Sequence, residues 1–494
     1  MDKSSSTEDS DTRLLVLERN CWRIEQADRF AFIVDADDYF RAVRVAMLNA
    51  RQSIFLIGWD FDSRIQLEAG EGDTGPLTLG DFFLWLVGRM PALEIRLLRW
   101  DTGAFKAIFR GNTLATVLRW KAHPRITLKL DGAHPIAASH HQKIVVIDDK
   151  LAFCGGIDIT SERWDRREHA DADPNRLRPN GTPYGPWHDA TSALDGPAAL
   201  AMGDLARHRW QLATGEQLKP VSCESDPWPS GLAPTFEGVS LGIARTIPQM
   251  DDEPGVYEIE QMYLDLITSA KRVIYAESQY FASRKIARAI ALRLCEPDGP
   301  EIVIINPKTA EGWLEPLAMD SARARLVEAL RRIDKHGRFQ IYHPQTASGE
   351  SIYVHAKVLI VDDRWLRVGS SNFNNRSLRL DTECDVTVSV DQSDGVPARA
   401  KIAALRDDLL AEHLHTESAH VAETLSQTRS LIATIERLRQ PGRTLVPYVI
   451  PELSDTEQWL ADNQILDPEG PEKIFEPLSR RGLFRKWRRP TKRP

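Results

Sequence analysis

The sequence predicts an α/β protein of two similar lobes, each a mixed β-sheet flanked by helices, related by a pseudo-two-fold axis with the active site between them. Three observations carry this. A motif occurs twice: His140-His-Gln-Lys-Ile-Val-Val-Ile-Asp-Asp149 followed by Gly155-Gly-Ile-Asp158, and Val354-His-Ala-Lys-Val-Leu-Ile-Val-Asp-Asp363 followed by Gly369-Ser-Ser-Asn372. Both fit H-x-K-x-x-x-x-D, and His141/His355, Lys143/Lys357 and Asp148/Asp362 each lie 214 positions apart. A helix-strand-strand pattern precedes each copy, and a Pro-rich stretch separates them, as a repeated supersecondary unit requires.

The elements follow in order. Residues 1–15 open polar and acidic and are expected to be disordered. The first lobe spans 16–218. Residues 37–52 read as helix, leading into the strand Ile54-Phe-Leu-Ile57 and later the strand Glu94-Ile-Arg-Leu-Leu98. Residues 161–188 are a long polar stretch with Pro and Gly, and loops beyond ~12–15 residues are usually functional or disordered. Pro220, Pro227, Pro229 and Pro234 mark 219–240 as a linker. The second lobe, 241–415, repeats the pattern with a helix over 257–272, the strand Ile274-Tyr-Ala and the strand Glu301-Ile-Val-Ile-Ile305. Helical apolar spacing (Leu405, Leu409, Leu410, Leu414) predicts helix over 401–438. The segment 416–479 is helix followed, from 441, by irregular structure, and 480–494 is a basic tail.

Composition narrows the function. An apolar fraction of 42% over 494 residues fills sizeable cores and excludes global disorder. The net charge of -8 sets nucleic-acid binding behind other readings, without excluding a local basic site. Five cysteines with no C-x-x-C spacing speak against a zinc or redox pair and suit a reducing compartment. No signal peptide opens the chain, and no apolar run approaches the ~20 residues of a membrane span. The expected location is cytoplasmic. The tail RRGLFRKWRRPTKRP, with Leu483, Phe484 and Trp487 among its basic residues, would suit peripheral attachment to the inner face of the cell membrane.

The motif itself points to chemistry. On a strand, His141 and Lys143 share a face, while Ile144-Val-Val-Ile147 is a β-branched run suited to a buried sheet. One such pair is weak. Two pairs on related lobes would bring two imidazoles and two ammoniums into one cleft, whose natural guest is a phosphodiester anion. The lysines would neutralise its non-bridging oxygens. One neutral imidazole would attack phosphorus and the other, protonated, would act as acid. A phosphohistidine route requires no metal in principle, and no metal-ligand spacing is present locally. Neither metal nor cofactor is expected. His140 would point to the opposite face and pack. Asp148 and Asp362, five residues past each lysine, belong to the catalytic motif; on a regular strand they face away, which fits a turn-holding role. Asp189 and Glu383, each opening a strand-like run, are the better carboxylates to orient the imidazoles.

These residues resemble the phospholipase D superfamily. The Gly-rich flanks, Trp187-His-Asp189, Leu194-Asp-Gly-Pro-Ala-Ala199 and Ile274-Tyr-Ala-Glu-Ser-Gln-Tyr-Phe281 are similar to its phospholipase D branch, over about residues 25–415. The resemblance implies His141 as nucleophile and His355 as the group that protonates the leaving alcohol and then activates water. It implies Lys143, Lys357 and Asn372 as phosphate ligands, with Asp189 and Glu383 as orienters; which serves which stays open. Asp158 stands where the family's motif usually ends in Asn, which suggests a structural role. The expected reaction is hydrolysis or transphosphatidylation of the distal phosphodiester of a glycerophospholipid such as phosphatidylcholine, at a membrane surface, by a monomer, with water or an alcohol as acceptor and no nucleic acid. The alternatives are a cardiolipin-synthase-like phosphatidyltransferase, a superfamily nuclease, and a non-catalytic lipid-binding protein, the last disfavoured by two intact motifs.

Overall fold

The computed structural model describes residues 14–68, 75–101, 113–135, 137–250, 254–311, 316–390, 395–452 and 467. The expected basic tail and residues 1–13 of the expected disordered start lie outside them. The first half runs β1 (Arg23–Val34), α1 (Ala36–Asn49), β2 (Ser53–Gly58), α2 (Leu79–Arg89), β3 (Glu94–Trp100), α3 (Thr113–Ala122), β4 (Ile126–Asp131), β5 (Ile144–Ile147), β6 (Leu151–Gly155), β7 (Trp187–His188), β8 (Ala190–Asp195) and α4 (Gly196–Thr214). The second half runs β9 (Phe236–Ile247), β10 (Val256–Tyr257), α5 (Glu258–Ser269), β11 (Val273–Glu277), α6 (Arg284–Leu294), β12 (Glu301–Ile305), α7 (Ser321–Ile333), β13 (Phe339–Gln345), β14 (Tyr353–Val354), β15 (Val358–Val361), β16 (Trp365–Gly369), α8 (Asn375–Arg379) and β17 (Glu383–Ser389). The chain then continues through α9 (Gly395–Leu414), α10 (Ser418–Thr428), α11 (Leu431–Leu438) and β18 (Thr444–Pro447).

The two lobes have the same strand order, β4-β3-β2-β5-β6-β8-β1 and β13-β12-β11-β15-β16-β17-β9. In each, the outer three strands are parallel and the rest antiparallel. The lobes join where β1 pairs with β9, so one mixed sheet crosses the molecule and the pseudo-two-fold axis passes between those strands. β5 and β6 keep the 214-residue offset from β15 and β16. Helices cover both faces, as buried parallel strands demand. Tyr39, Phe40 and Val43 of α1 and Phe82 and Phe83 of α2 fill the outer core of the first lobe. Tyr263, Ile290 and Val327 of α5, α6 and α7 fill that of the second. A third core, built on α4 and α9, contains residues of both lobes and welds them.

Each motif strand ends in a two-residue turn. Asp148 and Asp149 have φ of 52° and 53°, and Asp362 and Asp363 54° and 56°. Two successive left-handed residues match the twist of the flanking strands, and Asp tolerates that conformation better than most side chains. The Asp148 carboxylate accepts the N–H groups of Arg51, Gln52 and Ser53 at 2.7–2.8 Å, and that of Asp362 accepts those of Lys271, Arg272 and Val273 at 2.6–2.8 Å. These carboxylates lock the starts of β2 and β11. Their place among the catalytic candidates is corrected accordingly: they hold the hairpins that carry the motif. Asp148→Ala leaves three part-buried backbone donors unpaired and is expected to cost about 2–3 kcal/mol in chemical denaturation, against a smaller loss for Asp148→Asn, which keeps an acceptor and the turn.

Three other expectations are corrected. The helix over 401–438 is three helices, because His415 (φ 50°) and Arg429 (φ 55°) turn left-handed and Ser430 caps α11 by accepting the Ala433 N–H at 3.0 Å. Phe236–Ser240, assigned to the linker, open β9 and pair with β1. Thr444–Pro447, assigned to irregular structure, pair with β13 at the edge of the sheet.

Candidate active site

β5 begins at Ile144, so His141 and Lys143 precede the regular strand that the sequence suggested for them. The extended lead-in is held by the other lobe. Thr382 N–H donates to the Ser139 carbonyl and His141 N–H to the Thr382 carbonyl, both at 3.0 Å. The second copy repeats this: Tyr353 N–H donates to the Pro186 carbonyl at 2.9 Å and His355 N–H to the His188 carbonyl at 2.8 Å. In both cases the residue after the carbonyl that holds the histidine N–H is an acid. His141 Nδ1 lies 3.0 Å from both carboxylate oxygens of Glu383, and His355 Nδ1 lies 2.7 Å from Asp189 Oδ2. Each imidazole is therefore oriented by a carboxylate from the opposite lobe, which closes the choice the sequence left open. With Nδ1–H committed to the acid, Nε2 carries the lone pair.

Both acids are themselves fixed. Ser370 Oγ donates to Glu383, and Ala190 N–H donates to Asp189 Oδ1 at 2.8 Å. Gly156 is required beside them, since a Cβ there would stand 2.2 Å from Asp189 Oδ1.

The lysines also point inward. Lys143 Nζ lies 3.1 Å from Asp158 Oδ2 and donates to the His141 carbonyl at 3.0 Å. Lys357 Nζ donates to the His355 carbonyl and lies 3.4 Å from Gln279 Oε1. Asn372 Nδ2 donates to the same Gln279 oxygen at 3.3 Å, leaving its buried Oδ1 without a hydrogen-bond partner. Asp158 and Asn372 occupy matching places in the two copies but differ in charge. Asp158 anchors Lys143 and accepts the Trp59 N–H at 3.0 Å, the structural role its departure from the Asn pattern suggested.

His141, His355, Asp158 and Asn372 line one cavity of about 370 Å³ together with Trp59, Trp100, Arg163, Trp187, Gln279 and Tyr280. Several of these escaped sequence reasoning. Gln279 lies inside the family-like stretch 274–281, with nothing in its spacing to mark a bridge between Lys357 and Asn372. Arg163 comes from the aperiodic 161–188 loop; its guanidinium lies 4.3 Å from the Trp187 ring, which in turn lies 5.2 Å from the His355 ring. His140 is fully buried, with Nδ1 2.6 Å from the Thr382 hydroxyl, a packing role.

Electrostatics favour an anion. Burial, reinforced by Lys143 and Lys357, holds the His141 imidazole well below its ordinary pKa, and burial with Lys357 and Arg163 does the same for His355. Burial raises Glu383 and Asp189 above the usual carboxylate range. Burial also lowers the Lys357 ammonium to about 7, with Lys143 adding repulsion. At pH 8 Lys357 is then mostly neutral in the free cavity, and a bound anion recharges it. Binding of a non-hydrolysable alkylphosphonate monoester should take up about one proton more at pH 8 than at pH 6, where Lys357 is already charged. Calorimetry in buffers of different ionisation enthalpy reads this; equal uptake at both pH values contradicts it.

Comparison with known proteins places these features. A family model described as "Phospholipase D" matches residues 46–227, and one described as "Cardiolipin synthase, PLD-like domain" matches 263–396. Phospholipase D A of Dictyostelium discoideum is 26% identical over 73% of this chain and 33% of its own length. Phospholipase D alpha 1 of Nicotiana tabacum is 24% identical over 75% of this chain and 63% of its own. The matched region thus spans from a third to under two thirds of these relatives. The crystal structure of phosphatidylserine synthase from Haemophilus influenzae Rd KW20 aligns over 93% of this chain and 95% of its own at 15% identity with a TM-score of 0.54, a likeness of fold.

Proposed function

Because the chain belongs to the phospholipase D superfamily, we propose that it transfers the phosphatidyl group of a glycerophospholipid to water or an alcohol, giving phosphatidic acid or its ester and a free headgroup alcohol. The observation that carries this reading is the pair of cross-lobe dyads, His141–Glu383 and His355–Asp189, facing one cavity beside Lys143 and Lys357.

The chemistry follows from the atoms. The Lys143 and Lys357 ammoniums and the Asn372 amide bind the non-bridging phosphate oxygens. His141 Nε2 attacks phosphorus, the bond to the headgroup oxygen breaks, and His355 gives that oxygen its proton. The ring of the phosphohistidine keeps Nδ1–H on Glu383, whose negative charge balances it. His355, now neutral, takes a proton from water; the hydroxide forms the new P–O bond as the P–N bond breaks, and His141 leaves neutral. His141 suits the nucleophile role because its side chain is 17% exposed against 6% for His355. The incoming anion offsets the ammonium field, and the deeper His355 then takes up from solvent, on Nε2, the proton it donates, while His141 stays neutral to attack.

No helix among the described residues is long and apolar enough to cross a membrane. The substrate is met at a membrane surface by a monomer, with the tail beyond residue 480 as its electrostatic contact. A panel of phospholipids and single-stranded DNA, with and without ethanol, tests the reading. Phosphatidic acid from lipid and phosphatidylethanol with ethanol are expected. Cleavage of DNA with intact lipid would overturn it, and cardiolipin from phosphatidylglycerol would redirect it to the cardiolipin-synthase alternative.

A further inference from the structure

Behind the catalytic cavity, four buried side chains from four distant segments converge: Asp35 just before α1, His169 from the loop between β6 and β7, His188 of β7 and Glu412 of α9. One nitrogen or oxygen from each lies within 4.8 Å of all the others. His169 Nε2 is 3.0 Å from Glu412 Oε1 and 3.5 Å from Asp35 Oδ2. His188 Nδ1 is 2.8 Å from Glu412 Oε1 and 3.2 Å from Asp35 Oδ1.

The other nitrogen of each ring is already engaged, by a carboxylate outside the group. His169 Nδ1 lies 3.0 Å from Asp165 Oδ2 and His188 Nε2 lies 2.9 Å from Glu277 Oε2. Those carboxylates are fixed in turn: Trp187 N–H donates to Asp165 at 2.8 Å, and the Tyr275 hydroxyl donates to Glu277. A neutral imidazole has one N–H. With it turned outward, two nitrogen lone pairs and two carboxylates face one another inside the group. Hydrogen bonding resolves only part of this: His169 Nε2 lies at hydrogen-bond distance, 3.0 Å, from Glu412 Oε1, which requires that ring to carry a second proton. Asp35 Oδ2 and His188 Nδ1 are buried without a hydrogen-bond partner, although His188 Nδ1 stands 2.8 Å from a carboxylate oxygen.

A divalent cation does resolve it. Tetrahedral coordination with bonds of ~2.0–2.1 Å has donor–donor edges of ~3.3 Å; the four histidine–carboxylate contacts run from 2.8 to 3.5 Å, with Asp35 turning Oδ2 to His169 and Oδ1 to His188, and one donor atom from each residue lies within 4.8 Å of the rest, close enough for a single ion to draw them in. Two carboxylates balance a charge of two, and histidine ligands whose far nitrogen donates to a carboxylate are the usual outer layer of such a centre. We propose that Asp35, His169, His188 and Glu412 bind one first-row divalent metal ion, zinc by preference, in a structural site. This revises the sequence expectation of no metal: the ligands sit at non-local positions that no spacing rule could collect. The ion takes no part in phosphoryl chemistry. It fixes the strand that orients His355, since Asp35 accepts the Asp189 N–H at 3.0 Å and the His188 carbonyl accepts the His355 N–H at 2.8 Å.

The test is metal content, which does not depend on the lipid reaction. Untagged full-length protein, grown with added zinc and gel-filtered, should carry about one metal per chain, and His169→Gln should carry less than about 0.1. Zinc replaced by cobalt should give the visible bands of a tetrahedral site, which serves if His169→Gln does not fold. Metal-free wild-type protein that neither retains zinc nor develops those bands would overturn the proposal and leave a network of protonated imidazoles. Full metal content in His169→Gln would also overturn it, by placing the ion elsewhere.

Discussion

His141→Ala and His355→Ala should each lower turnover of phospholipid about 10⁴-fold or more, and the double variant should be no worse than either alone. The two rings act on one phosphorus centre in consecutive halves of one reaction, so losing either stops the cycle. The reasons differ. Without His141 there is no nucleophile and no covalent intermediate forms. Without His355 the leaving alkoxide finds no proton and water finds no base. An activated leaving group separates the two. A p-nitrophenyl phosphodiester expels a stable anion that needs no proton, so His355→Ala should release one equivalent of nitrophenolate in a burst and then stall, while His141→Ala should give none. The cavity should survive both changes, because the backbone N–H of each residue keeps its own cross-lobe bond when the ring's bond to the opposite lobe's acid is lost. Normal turnover in either variant contradicts the scheme.

Glu383→Gln and Asp189→Asn should each cost about 10²–10⁴ in kcat with little change in KM. An amide can present N–H to the ring and thereby favour the tautomer whose proton sits on Nε2, blocking attack by His141 or proton uptake by His355. It also removes the negative charge that balances the imidazolium state. Neither acid lines the cavity, so the phosphate ligands stay in place. Gly156→Ala should act as a steric copy of Asp189→Asn, since its methyl group would displace the carboxylate from 2.2 Å away. A rise in KM with unchanged kcat would assign these acids to substrate binding instead.

Much of this was readable in the residues. The 214-residue repeat carried the two-lobed fold because a duplicated unit conserves spacing along each copy, and β5–β6 and β15–β16 keep it. Apolar runs located β2, β3, β11 and β12, because strands buried on both faces need no alternation. The histidines, lysines, Glu383 and Asp189 were legible as residue types in a pattern. Their pairing was not, because it depends on Thr382 and His188 lying against His141 and His355 of the opposite lobe's motif, contacts between residues 241 and 167 apart in sequence. Gln279 and Arg163 were invisible for the same reason. The breaks at His415 and Arg429 escaped because apolar spacing continues across them, while the chain reverses on left-handed residues that are not glycine. The Asp35–His169–His188–Glu412 group is the extreme case, four ligands that meet only once both lobes and α9 are packed.

The central claim is that two imidazole–ammonium pairs from different lobes act on a single phosphorus atom through a covalent phosphohistidine. The most direct measurement is rapid quenching of His355→Ala after mixing with the p-nitrophenyl phosphodiester, followed by peptide mapping under alkaline conditions that preserve phosphohistidine. One phosphoryl adduct per chain, confined to His141, is the predicted result. A nitrophenolate burst with no adduct, or an adduct on any other residue, would contradict it.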